Sequence, residues 1–250
     1  METSMNDRVD GIVLKQSDYR DNAVLLQVLT KEYGLISFTA KGARKLTSHN
    51  ALHIMPYTIT ELLFDYREGR TLFSLKSSRT RQMFRHLHGS LEAGAAAGVM
   101  GEIITKIPET ALESDVYDLT ADALGLLDSG AKSDLVLAVF LARMLDSLGV
   151  APQVDCCVVS GDTRVAAISV QDGGFVNEAV ARSKGIPLSN VQDLRVFRLI
   201  NHAGMKDYDV LAQYTDDALS HVRTLSSFLK EYTGLEPASL QFYYSVRAIE

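Results

Sequence analysis

The sequence lacks the features that would place it in a membrane, outside the cell or in a disulfide-rich class. Of its 250 residues two are cysteine, and they are adjacent, Cys156 and Cys157. Two thiols cannot build a disulfide framework and are too few for a thiolate zinc site. No apolar run approaches the roughly 20 residues that span a bilayer, and the N-terminal residues show no signal-peptide pattern. We therefore expect a cytoplasmic protein without structural disulfides.

Catalytic motifs are missing as well. The patterns G-x-S-x-G, H-E-x-x-H and G-x-x-x-x-G-K do not occur. The pair Gly173-Gly174 lacks the strand, turn and helix setting of a dinucleotide site. His86 and His88 are two residues apart on a predicted helix, so they do not share a face and are poor metal ligands. An enzyme is disfavoured, although a site assembled from distant residues would leave no local motif.

The charge of the chain is unevenly distributed. With 46% hydrophobic and 22% charged residues the chain is an ordinary globular protein, and its net charge of -6 argues against a nucleic-acid partner. However, residues 1–85 contain 13 Lys and Arg against 9 Asp and Glu, whereas the remainder contains 12 against 22. A basic module joined to an acidic one is typical of proteins whose basic part binds a polyanion. Chance segregation of solvated charge is the alternative interpretation.

The first 80 residues show the period of β-strands. In the third of five candidate strands Ile36, Phe38 and Ala40 alternate with polar residues, which predicts one buried and one solvated face. The candidate strands are Val9–Ser17, Ala23–Thr30, Leu35–Lys41, Pro56–Tyr66 and Arg70–Ser78. Five short antiparallel strands predict a small barrel of the OB type, which often binds oligonucleotides, and an SH3-like barrel fits almost as well.

Beyond residue 80 the apolar spacing becomes helical, so the fold class is α+β. The predicted helices are Gln82–Ile107, Val116–Leu127, Asp134–Leu148, Asn190–His202 and Asp207–Tyr232. Glycines and prolines interrupt residues 150–187 around a β-like piece, Arg164–Val170. We therefore expect four domains: a barrel (1–80), a helical domain in two parts (81–150 and 188–250), and a small irregular module (151–187).

Two clusters of cations lie in the basic part. Lys41, Arg44 and Lys45 surround Gly42 at the end of the third strand, and Lys76, Arg79, Arg81 and Arg85 follow the last strand. Cations on barrel connections suit contact with phosphates along a nucleic-acid backbone, and a glycine allows close approach of the main chain. The alternative is two loops whose charge serves solubility.

Several longer runs resemble one family. They are AVLLQVLTKEYGLISFTAKGARK, MPYTITELLF, REGRTLFSLKSS, FLARMLDSLGVAPQVDCCVVSG and the later GGF. These runs resemble the RecO family of DNA repair proteins over nearly the whole chain. The resemblance implies an N-terminal OB-fold and a helical domain. It also implies binding of single- and double-stranded DNA, annealing of complementary strands, and loading of the RecA recombinase together with RecR, by a nucleoid-associated monomer that is not an enzyme.

The resemblance also implies a small zinc module, from which this chain departs. Where many family members carry two C-x-x-C pairs, this sequence has Cys157 and Ser160, then Asn177 and Val180. A structural zinc site needs four closed ligands, so we expect no metal and no cofactor. The module 151–187 should instead be held together by packing of apolar residues.

The candidate interface residues follow from the clusters and the resemblance together. For phosphate contact we predict Arg20, Lys41, Arg44, Lys45, Arg79, Arg81 and Arg85. For stacking on bases we predict Tyr33 and Tyr57, since Phe38 should lie in the core. Family members receive the acidic tail of single-stranded DNA-binding protein (SSB) near a Phe in the helical domain. The matching candidates are Phe140 and Arg143, with Arg195 and Arg198 as an alternative cationic rim. Here Ala138 and Val139 occupy positions that are often basic, and this favours a second hypothesis: an adaptor that docks RecR or SSB and binds DNA weakly.

Overall fold

The computed structural model describes residues 6–19, 23–41, 51–108 and 115–249. The fold is α+β, as the sequence predicts, and the chain divides into two compact units, Met1–Gly130 with Ser239–Glu250, and Ala131–Ala238. None of the helices in the described ranges is both long and apolar enough to cross a membrane. The four-domain division made from the sequence is finer and stays a prediction.

The first unit contains an OB-like sheet. Its strands are β1 (Asn6–Tyr19), β2 (Ala23–Thr30), β3 (Gly34–Lys41), β4 (Thr58–Asp65), β5 (Leu72–Ser74) and β6 (Ser77–Met83). They are ordered β5-β3-β2-β1-β4-β6. β5 pairs with β3 at one end of this order, and β6 pairs with β4 at the other end. Only two residues separate β5 from β6, so the segment 72–83 connects both ends of the sheet.

The predicted alternation in β3 is confirmed. Ile36, Phe38 and Ala40 are buried, and Ser37 and Thr39 between them are partly exposed. The inward side chains of the other strands join them in one core that includes Leu26, Phe64 and Phe73. The side chains between the buried ones on β2 and β3, such as Gln27, Ser37 and Thr39, therefore lie on the outer side of the sheet.

Two features of the predicted barrel are wrong. The fifth strand is split into β5 and β6, and β5 pairs with β3 in parallel instead of antiparallel. After β4 the segment 66–71 carries the chain to the far side of β3, so β5 runs in the same direction as β3. A scheme in which all strands are antiparallel does not contain this connection. In addition, β6 continues to Met83, where the apolar spacing had predicted a helix from Gln82.

The helices differ from the predicted ones mainly at their ends. They are α1 (Arg85–Gly89), α2 (Leu91–Lys106), α3 (Asp115–Asp128), α4 (Ser133–Ser147), α5 (Glu178–Lys184), α6 (Val191–His202), α7 (Tyr208–Leu211), α8 (Leu219–Thr233) and α9 (Ser239–Arg247). Ser90 breaks the first predicted helix, because its extended backbone and its side chain cap α2 through the Ala93 N–H. The predicted helix Asp207–Tyr232 is interrupted between α7 and α8, and the sequence reading missed α5 and α9.

The helix α4 is central to the second unit. The predicted helix Asp134–Leu148 is present, and every residue from Ser133 to Ala142 is buried. Its sequence is apolar nearly all round, and α6 and α8 pack against it. At its start, Asp134 is 1% exposed and accepts a hydrogen bond from Ala218 N at 2.7 Å, which ties the beginning of α4 to that of α8.

His221 of α8 makes the stability of this unit sensitive to pH. The ring is buried against Phe197, and burial lowers its pKa although Asp193 and Asp217 oppose the shift. The unfolded chain therefore binds a proton that the folded chain excludes. The free energy of unfolding should fall as the pH drops below about 6.5, by at most about 1.4 kcal/mol per pH unit, until the lower folded pKa is passed. Urea unfolding at pH 7.5 and 5.5 measures the fall, and His221→Gln should reduce it. An equal fall in the variant would contradict the assignment.

Candidate nucleic-acid interface

The predicted phosphate contacts fall in several places. Arg20, Arg44 and Lys45 lie outside the described residues. Lys41 is the last residue of β3 and is exposed. Arg85 is the first residue of α1 and is also exposed. The structure therefore locates part of the first cluster and all of the second.

Arg79 and Arg81 are both exposed residues of β6, and Arg81 lies at an irregularity of the strand, since Thr80 pairs with Thr60 and Gln82 with Ile59. Arg81 donates hydrogen bonds to Glu61 of β4 and, at 3.3 Å, to Asp10 of β1. Two carboxylates thus compensate its charge before any phosphate arrives. Arg79 lies opposite Glu61 in the strand pairing and is exposed, without an ion pair among the described residues.

The other cations of the first unit also fall into two groups, those paired with a carboxylate and those without an ion pair. Lys31 pairs with Asp118 at 2.7 Å, and Lys76 pairs with Asp65. In the described part of the first unit, seven exposed cations have no ion pair. They are Arg8, Lys15, Lys41, Arg67, Arg70, Arg79 and Arg85. The unpaired cations keep their charge available for phosphates.

Three of these cations, which sequence analysis missed, border the outer face of β2 and β3. Lys15 pairs with Gln27, which pairs with Ser37 on β3, so these side chains form one outward row. Arg67 and Arg70 lie in the turn between β4 and β5, and Thr71 O accepts from Ser37 N at 3.0 Å. The spacing in sequence gave no signal for these residues. The OB topology points to them, because OB-folds bind oligonucleotides on the face of strands 2 and 3 and with the loop between strands 4 and 5. In this protein that loop contains Arg67 and Arg70.

We call Lys15, Lys41, Arg67 and Arg70, with the outward residues of β2 and β3 between them, the basic face. Lys41 lies four residues beyond Ser37, about 13 Å along the strand. Gln27, Ser37 and Thr39 are partly exposed polar residues in the middle of this face. Cations at both ends of an uncharged polar centre suit a nucleic-acid strand, whose phosphates need charge and whose bases and sugars do not.

The two tyrosines predicted to stack on bases already pack within the protein. Tyr33 stacks on Tyr66 with 4.5 Å between ring centroids, and Tyr66 stacks in turn near Phe73 at 5.7 Å. Burial, followed by the nearby Asp7, raises the pKa of Tyr33. Tyr57 has a positive φ of 58°, and burial and Glu102 raise its pKa to about 12. Tyr57 is partly exposed, and its ring packs on Gly101 of α2, so a base that stacked on Tyr57 would compete with this contact.

Comparison with known proteins identifies the family. The family model described as "Recombination protein O N terminal" matches residues 5–84, and the model "Recombination protein O C terminal" matches residues 88–241. The chain belongs to the RecO family. A DNA repair protein RecO of Bacillus pumilus is 26% identical over 96% of this chain and 94% of its own length. One of Listeria monocytogenes is 26% identical over 94% and 93%, and one of Heliobacterium modesticaldum is 30% identical over 67% and 59%.

Membership in the RecO family makes this a protein of DNA repair and recombination. The family is one of non-enzymatic recombination mediators. The two matched models meet close to the end of β6, where the sheet gives way to helices. The basic face thus lies within the part of the chain that matches the RecO N-terminal model.

The four positions that resemble the family's zinc ligands come together around Cys157, which is 1% exposed. Asn177 Nδ2 donates to Ser160 Oγ at 3.1 Å, and Asn177 Oδ1 accepts from Val180 N at 2.9 Å. Burial raises the pKa of the Cys157 thiol, but hydrogen bonds from Ser160 and Asn177 outweigh it and leave the pKa below its usual value. Hydrogen bonds and packing therefore hold these four positions together.

These residues do not fit zinc. Hydroxyl, amide and valine side chains replace three thiolates, and no cluster of three or more His, Cys, Asp or Glu in the described part of the chain could hold a metal ion. Instead Cys157, Ala167, Val176 and Ala181 form a small apolar core.

We expect chelation to leave the protein unchanged. Dialysis against EDTA should not alter its circular dichroism or its unfolding midpoint, because the module has no metal bonds to lose. The triple variant Ser160→Cys, Asn177→Cys, Val180→Cys should bind one cobalt or zinc ion per chain, since the backbone already brings the four positions together. Elemental analysis of the unmodified protein provides the control, and a stoichiometric zinc content would refute this reading.

The residues predicted to bind a partner differ in accessibility. Phe140 is fully buried in α4. Arg143 donates to Asp146 at 3.0 Å and to the Asn201 carbonyl. Arg198 Nε donates to Val154 O at 2.6 Å, so its guanidinium is fixed over Phe175. Arg195 is exposed, with its guanidinium 4.9 Å from the Tyr214 ring centre. Of the four side chains, that of Arg195 is thus the most accessible to a partner.

Proposed function

We propose that this protein is a recombination mediator that binds single- and double-stranded DNA through the basic face and anneals complementary strands. The observation that carries the proposal is the set of unpaired, exposed cations around the outer face of an OB-like sheet. Membership in the RecO family supports the same function.

The mechanism is electrostatic. Two strands approach slowly because their phosphates repel each other, and cations that neutralise phosphates on both strands reduce this repulsion. Base pairing then supplies the specificity, so the protein needs no contacts to base edges. The net charge of -6 keeps the attraction of the whole molecule for DNA weak. Binding is therefore local to the basic face and sensitive to salt.

The RecO family also suggests the protein partners. We propose that the chain acts with RecR to load RecA on DNA coated by SSB, in the cytoplasm at the nucleoid. The second unit contains none of the residues of the basic face, so we assign the protein contacts to it.

Titration of a labelled 30-nucleotide single strand at several salt concentrations tests the proposal. If four cations engage, log K should fall with log[salt] with a slope of about -3. The protein should also accelerate annealing of two complementary strands, with and without SSB. Absence of binding at 50 mM salt would contradict the mediator function.

That result would instead favour the adaptor. Three cations of the first unit, Lys31, Lys76 and Arg81, are compensated by carboxylates, which is the observation that supports weak DNA binding. An adaptor should bind RecR or SSB with unchanged affinity after the basic face is neutralised.

A further inference from the structure

Two leucines lie on the outer side of the barrel within the basic face. Leu25 stands between the buried Val24 and Leu26 on β2, so its side chain points outward, and it is partly exposed. Leu72, the first residue of β5, is 44% exposed, whereas the next residue, Phe73, belongs to the core. Contact with phosphates alone gives these apolar side chains no role.

The strand pairing places both leucines among the polar residues of this face. Leu25 lies opposite Thr39 on β3, and Leu72 lies opposite Ser37, two residues earlier on the same strand. Two strand spacings and one step of two residues therefore separate the leucines, a distance of about 12 Å. This distance is within the reach of a short run of nucleotides.

The cations of the basic face border these leucines. Arg70 precedes Leu72 by two residues, and Lys15 lies at the far end of the cross-strand row that begins at Leu72. Lys41 follows the β3 partner of Leu25 by two residues. All three cations are exposed and have no ion pair among the described residues. The face thus offers charge at its edges and apolar surface nearer its centre.

An unpaired strand matches both parts of this surface, whereas a duplex matches only the charged part. The bases of a single strand are able to turn their flat, apolar faces toward a protein. In a duplex these faces are stacked inside the helix, and the outside consists of phosphates, sugars and polar base edges. Leucines placed against bases lose contact with water favourably, but against phosphates they would dehydrate charged groups.

We infer that the basic face selects unpaired strands, with bases packed on Leu25 and Leu72 and phosphates at the surrounding cations. The inference rests on the proposed function and makes it more specific, because it names the form of DNA that this face prefers. Duplex DNA binds the same cations without the contacts to the leucines, and therefore binds more weakly.

The test compares three labelled ligands of 30 nucleotides or base pairs: oligothymidine, an abasic strand with the same phosphates, and a duplex. The unmodified protein should bind oligothymidine most tightly. Leu25→Thr with Leu72→Thr should weaken binding of oligothymidine about tenfold and binding of the other two less than about twofold. The slope of log K against log[salt] should not change, because no cation is lost. Threonine suits a strand, so the sheet should be retained.

A second variant tests the same contact in the opposite direction. Leu72→Tyr should tighten binding of oligothymidine about fivefold and leave the abasic strand and the duplex unchanged, because an aromatic ring stacks on a base better than leucine does. A gain of this kind cannot result from loss of the fold. Leu188→Thr is the matched control, since Leu188 is 52% exposed but belongs to the second unit, and it should change none of the three affinities.

The inference is overturned if the double threonine variant weakens all three ligands equally or weakens none of them. It is also overturned if Leu72→Tyr leaves oligothymidine binding unchanged, or if the abasic strand binds as tightly as oligothymidine. The proposed function would survive these results, because it depends on the cations and on salt-sensitive binding. If the unmodified protein bound none of the ligands at 50 mM salt, the proposed function and this inference would both be wrong.

Discussion

Neutralising three cations of the basic face, Lys41→Gln with Arg67→Gln and Arg70→Gln, should weaken binding of single-stranded DNA about 100-fold at 0.1 M salt. Each lost phosphate contact removes about 0.7 from the slope of log K against log[salt], so the slope should become shallower by about 2. The three residues are exposed and have no ion pair among the described residues, so the fold should not change. Fluorescence anisotropy over a salt series measures both quantities.

A matched variant separates this local effect from net charge. Lys31→Gln, Lys76→Gln and Arg81→Gln together remove the same charge, but these side chains already contact carboxylates. Their loss should weaken binding less than about fivefold, with little change in slope, because solvent and salt screen the freed carboxylates. Equal losses in the two triple variants would show that binding follows total charge and that the basic face is not the interface.

Gly174→Ala should destabilise the second unit by more than about 3 kcal/mol, since a rigid backbone clash exceeds ordinary overpacking. A Cβ at this position would lie 2.2 Å from Gln153 O and 2.7 Å from Gln153 N. The backbone comes this close because Phe175 N donates to Gln153 O at 2.8 Å and Gln153 N donates to Gly173 O at 2.9 Å. The Gln153 backbone cannot move away from the added Cβ without breaking these two hydrogen bonds. Urea unfolding followed by circular dichroism measures the change.

The control is another glycine in the same module. Gly161 has a φ of +74°, but a Cβ there would meet no atom within 4 Å. Gly161→Ala should therefore cost only the left-handed backbone strain, about 1 to 2 kcal/mol. If Gly174→Ala costs no more than Gly161→Ala, the close approach to Gln153 is not the reason for the glycine.

Local patterns predicted the elements that depend on local chemistry. The alternation in β3 predicted which side chains are buried, because a strand with one core face must alternate. Asn190, at the start of a predicted helix, caps α6 by accepting from Asp193 N at 2.7 Å. The parallel pairing of β5 was missed, because strand direction depends on where the connecting segment crosses and not on the residues of the strand.

The sequence by itself determined the family, the α+β class and the excess of cations in the first 85 residues. Only the tertiary structure decided which of those cations are available. Arg81 is compensated by Asp10, 71 residues away, and Lys31 by Asp118, 87 residues away. Arg67 and Arg70 join the basic face because β5 pairs with β3. Charge is a property of each residue, but its compensation depends on neighbours in space, which the fold brings together from distant parts of the chain.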